Sequence, residues 1–109
     1  MATHTIKLQA KKGAVLPGGA TIHGGDTVLW DNQTDRSRAL TFSVWPFDQV
    51  PETIRVPNRN ENENDQGRGK SKSFVVAKLE YPRTFPYTIE PTINPDDGPP
   101  DEPGLGVEP

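Results

Sequence analysis

The chain has 109 residues, 31% apolar and 25% charged, with twelve prolines, ten glycines, no cysteine and a formal charge of −3. That length fits one domain with a thin core, and the missing cysteine excludes disulfides, thiolate metal sites and cysteine nucleophiles. Proline and glycine at this frequency argue against long helices and for short strands joined by turns, so the expected class is all-β.

No stretch approaches the roughly 18 apolar residues of a membrane span, and the opening MATHTIKLQAKKG lacks the apolar run of a secretory signal. The expectation is a chain without membrane contact, cytoplasmic unless a signal has been removed. Strand-like alternation begins in THTIKLQA, where Ile6, Leu8 and Ala10 share one face and Thr5, Lys7 and Gln9 the other. KKGAVLPGGATIHGGD reads as a short kinked strand with Val15, Ala20 and Ile22 inward, ending in a Gly-Gly-Asp turn. TVLWDN follows as a third strand with Val28 and Trp30 inward. Asn32-Gln33-Thr34 is a formal glycosylation acceptor, read here as a turn. ALTFSVW is a fourth strand: Leu40, Phe42 and Val44 face the core, and Trp45 leaves on the opposite side beside Pro46 and Phe47.

Beyond Pro46 the pattern thins. TIRV reads as a short edge strand, and NRNENENDQGRGKSK, residues 58–72, as a long exposed loop. SFVVAKLEYP and TFPYTIEP resume the β pattern, the latter with Phe85, Tyr87 and Ile89 on one parity. Residues 92–103 form a Pro-rich acidic segment, and GLGVEP offers a last half-strand. About seven short strands with turn signals between them suggest a sandwich.

Charge is unevenly distributed: residues 1–89 hold all twelve Lys and Arg against nine acids, whereas residues 90–109 hold six acids and no base. An acidic tail on a mildly basic body argues against nucleic acid as a partner. Ser37, Ser43, Ser71 and Ser73 have no histidine near them in sequence, and the carboxylate runs fall in loops or the tail, so nothing marks an enzyme. PGGATIHGG is no phosphate cradle, since no lysine follows it and no helix opens. No cofactor is expected.

Val15, Pro17, Ala20 and Ile22, followed by Gly25-Asp26-Thr27-Val28, Trp30 and Asn32, stand in a spacing that resembles the cupredoxin, or blue copper, family. TFPYTIEPT resembles that family's late strand at Phe85, Tyr87 and Pro91. The resemblance covers nearly the whole chain and implies a single Greek-key β-sandwich over residues 1–109. It also implies where copper ligands would fall: the first histidine at Arg38, or at Ala39 if the loop slips by one; the thiolate at Ile89; the second histidine at Thr92; the methionine within the acidic segment. A blue copper centre needs two imidazoles and a thiolate, and none of these positions supplies one.

The favoured expectation is therefore a copper-free, non-enzymatic module that binds another protein or its own copies, with Trp45 and Phe47 as candidate anchors. The alternative is a different metal site using His4 and His23, both read on the polar parity of their strands, or the acids Asp96, Asp97, Asp101 and Glu102. A covering of Trp45 and Phe47 by the chain itself, through the segment from Pro46 to Pro57 or the Pro-rich tail lying across the ring, is the competing reading of that aromatic pair.

Overall fold

A computed structural model describes residues 1–93 and 103–109. Within them the chain is all-β, with nine strands against the expected seven or so: β1 Thr3–Gln9, β2 Gly13–Val15, β3 Ile22–His23, β4 Thr27–Asn32, β5 Arg38–Phe42, β6 Ile54–Val56, β7 Phe74–Val75, β8 Arg83–Glu90 and β9 Gly104–Glu108. One sheet runs in the order β2-β1-β4-β7 and the other β3-β9-β8-β5-β6. Both are mixed: β1 lies parallel to β4 and β3 parallel to β9, and the remaining pairs are antiparallel.

Period-two alternation aims one side of each sheet into a shared core. β8 shows it most plainly, burying Phe85, Tyr87 and Ile89 and exposing Thr84, Pro86, Thr88 and Glu90. β9 buries Leu105 and Val107, and β1 buries His4, Ile6 and Leu8. Trp30 sits fully buried in β4, with edge-on ring contacts to Phe42, Phe47 and Tyr87 and its indole N–H donating to Tyr87 Oη at 3.2 Å. A buried indole requires such an acceptor.

Four sequence expectations change. The kinked second strand is two strands in different sheets, because a 3-10 turn at Pro17–Gly19, with positive φ at both glycines, redirects the chain. Ala20, expected inward, is exposed there, as is Ala10, which lies past the end of β1. β5 stops at Phe42, two residues before Val44. β8 hydrogen-bonds β5 through Tyr87–Glu90 and β9 through Arg83–Pro86, so the next partner for β5 would be Pro86, which has no N–H to offer. Released from the ladder, Val44 turns out to solvent and is 44% exposed.

The fourth change concerns residues 58–72. Successive asparagines fold the loop onto itself: the side-chain oxygens of Asn58, Asn62 and Asn64 each accept the amide two residues on, at 2.9, 3.4 and 2.8 Å. Arg55 on β6 donates to both carboxylate oxygens of Glu63, at 2.8 and 3.1 Å. The far end of the segment is packed, not solvated. Ser71 is fully buried; its amide donates to Trp30 O at 2.9 Å and its hydroxyl accepts from Trp30 N at 2.9 Å. Lys70 bridges Asp31, so this stretch continues the line of β7 along β4.

Candidate functional site

The corner where the family resemblance places copper is built from the β4–β5 turn and the end of β8. Asn32, fully buried, organises the turn: its side-chain oxygen accepts from the amide and hydroxyl of Thr34 at 2.9 and 2.6 Å, and its amide group donates to Arg36 O at 2.7 Å. Asn32 thus closes β4 and its side chain holds the bend that follows, which shifts the expected turn to the residues after Asn32 and places the formal glycosylation acceptor inside the protein. Arg38 follows at the start of β5, only 9% exposed. Its Nε donates to Thr34 Oγ1 at 3.2 Å and its Nη1 to Pro91 O at 2.6 Å. Burial, and next the charge of Arg36, push the Arg38 pKa down. Ile89 is 2% exposed opposite Leu40, and Thr92 is exposed beyond the strand. A guanidinium, an aliphatic side chain and a solvated hydroxyl thus occupy the corner. Ile93, which the sequence reading left in an irregular segment, is buried in the core.

The second candidate, around Trp45, is only partly as expected. Phe47 is 5% exposed and belongs to the core, its ring tilted against that of Phe74 at 5.1 Å between centroids, so the expectation that it stands on the surface is corrected. Its backbone bridges Val76, and the amides of Asp48 and Ala77 donate to Val75 O and Pro46 O, which ties residues 46–48 along the outer edge of β7. Trp45 is half-buried, edge-on to Phe42, Phe47 and Phe74, and its indole N–H donates to Gln49 O at 2.6 Å. The chain therefore supplies part of the cover itself, through the segment after Pro46. What it leaves open are the neighbouring apolar side chains: Val44 at 44% and Val50 at 82% exposed. The periodicity argument missed both, because it continued β5 through Val44 and had no term for the turn that lifts Val50 out.

His4 and His23 do not form a pair. His4 shares the parity of Ile6 and Leu8 and is buried, correcting its assignment to the polar face. Its Nε2–H donates to Asp26 Oδ2 at 2.9 Å. Asp26 also accepts from His23 N at 2.9 Å and from Ala2 N at 3.1 Å. These donors, the His23 amide first and the His4 ring next, hold its carboxyl far below the usual carboxylate range, against the opposing effect of burial. His23 itself is exposed on β3, with Nδ1 3.1 Å from Pro109 O. Among the described residues no three His, Asp or Glu side chains are grouped to hold a metal ion. Asp96, Asp97, Asp101 and Glu102 lie outside the described residues.

Among those same residues no helix is long and apolar enough to cross a membrane. Comparison with protein-family models, with curated proteins and with solved structures returned no match.

Proposed function

We propose that this chain is a copper-free, cupredoxin-like Greek-key sandwich that works as a non-enzymatic interaction or assembly module. The cupredoxin reading rests on the sequence spacing from Val15 to Asn32 and on the late strand at Phe85, Tyr87 and Pro91, and the copper-free reading on Arg38, Ile89 and Thr92 standing at the two histidine positions and the thiolate position. The observation that carries the interaction reading is the exposure of two valines flanking the half-buried Trp45, Val44 directly before it in the chain and Val50 directly after Gln49, whose carbonyl accepts the Trp45 indole N–H. With its N–H already bonded to Gln49 O, Trp45 offers a mainly apolar surface with no unmet polar requirement. Apolar side chains clustered around an aromatic ring are characteristic of protein contacts. Phe47 supports this surface from below instead of forming it.

Sedimentation velocity and thermal melting of the wild type and of the Val44→Lys/Val50→Lys double variant test the reading together. Both valines are exposed, so the melting point is expected to hold while an assembled species is lost. Sedimentation that is identical in the two proteins at every concentration counts against the patch.

A further inference from the structure

A groove of about 340 Å³ crosses the outer face of the second sheet, lined by Thr21 and Ile22 on one side and by Pro82, Arg83 and Thr84 on the other, with Glu108 at its end. It opens because β3 accompanies β9 only at Val107 and Glu108 before the chain turns away through Thr21 and Ala20. Its floor is Gly106, paired with Thr84 across β8.

Gly106 has no reason inside the described fold to be glycine. Its φ is not in the left-handed region, and a Cβ added there would meet nothing within 4 Å. Every other described glycine has either a positive φ or an atom in the way. Gly104, two residues earlier on the same face, shows the contrast: a Cβ there would lie 2.6 Å from Thr84 Cγ2. A strand glycine weakens its own sheet, and where no local geometry demands it, it marks the close approach of something else. The partner best suited to a bare glycine on a sheet is an aromatic ring laid over it.

One large aromatic is strongly exposed on the described surface. Tyr81 is 76% exposed and directly precedes Pro82 in the groove wall. Knob and hole therefore lie side by side on one surface, the arrangement a twofold contact requires, because each copy can then offer its ring to the other's groove. We infer that Tyr81 of a second copy of this chain seats on Gly106, forming a symmetric dimer. The contact shares no residue with the patch around Trp45 and goes beyond it.

Sedimentation equilibrium across a wide concentration range tests the contact in four proteins: wild type, Tyr81→Ala, Tyr81→Phe and Gly106→Val. Gly106→Val fills the notch without a clash inside the monomer and suits a strand. The expected result is a wild-type dimer that Tyr81→Ala and Gly106→Val each weaken by about tenfold or more, the scale of losing an aromatic anchor. Tyr81→Phe keeps the dimer, and thermal melting at monomer concentration shows all four folded. A wild type that stays monomeric throughout, a dimer unmoved by both variants, or one weakened by only one of them overturns the inference. Dissociation in Val44→Lys/Val50→Lys, with Tyr81→Ala still dimeric, assigns the dimer to the Trp45 patch instead.

Discussion

Asp26 shows how much one side chain can organise. Its two oxygens take the amide of Ala2, the amide of His23 and the ring N–H of His4, joining the start of β1 to the end of β3 just ahead of β4. The depressed folded-state pKa fixes the sign of its effect. Its stabilisation is fully present above the ordinary carboxyl value of 3.8 and is withdrawn as pH falls below that. Melting followed from neutral pH into acid is expected to show a falling limb that Asp26→Asn flattens. At neutral pH the same variant is expected to cost about 1–3 kcal/mol, because buried donors lose their acceptor. An acid limb that survives in Asp26→Asn assigns acid sensitivity to other carboxylates. Arg38 is the other organising residue: it links β5 to the chain after β8 through Pro91 O, a connection that a lysine, with a single point charge in place of a fork, cannot reproduce on both sides.

At the scale of elements, the legible parts were those governed by alternation. β1, β4, β8 and β9 bury the parity that Ile6, Val28, Phe85 and Leu105 announce, and β6 lies at a sheet edge as TIRV suggests. What sequence could not show was pairing. The end of β5 depends on Pro86 of β8, far along the chain, and this decides that Val44 is exposed and Trp45 turned inward. Similarly, Ser71 looks like one more polar loop residue until β4 is placed beside it and its hydroxyl is seen to serve Trp30 N. The two ends of that segment are therefore expected to differ in tolerance. Removing residues 62–66 leaves the domain folded, since loop-closure entropy changes slowly with length. Ser71→Ala is expected to cost about 1–3 kcal/mol by leaving a buried amide without its acceptor. Urea titration of the two variants compares them directly, and equal losses refute the distinction. In the candidate sites, the parity of His4 was readable from Ile6 and Leu8, whereas the burial of Phe47 required the bridge to Val76.

At the scale of the whole molecule, a single core joins both sheets, from Leu8 and Trp30 on one side to Leu40, Ile89 and Val107 on the other. Ile89 stands where the resemblance puts a metal-binding thiolate, yet it packs as an ordinary core residue at 2% exposure. Ile89→Ala is accordingly expected to destabilise the domain by about 2–5 kcal/mol; a loss below about half a kcal/mol, the usual range of surface changes, would place the side chain outside the core. The pairing of Ile22 with Val107 carries a consequence for biosynthesis. β3 has no other strand partner among the described residues, and β8 relies on β9 for the bonding of its first half. A ribosome delivers these segments in order, so the second sheet cannot close while Val107 is still inside the exit tunnel. Of the early strands β3 alone must wait for β9, and Ile22 stays without its strand neighbour, open to water, to chaperones or to a neighbouring chain, until Val107 has emerged.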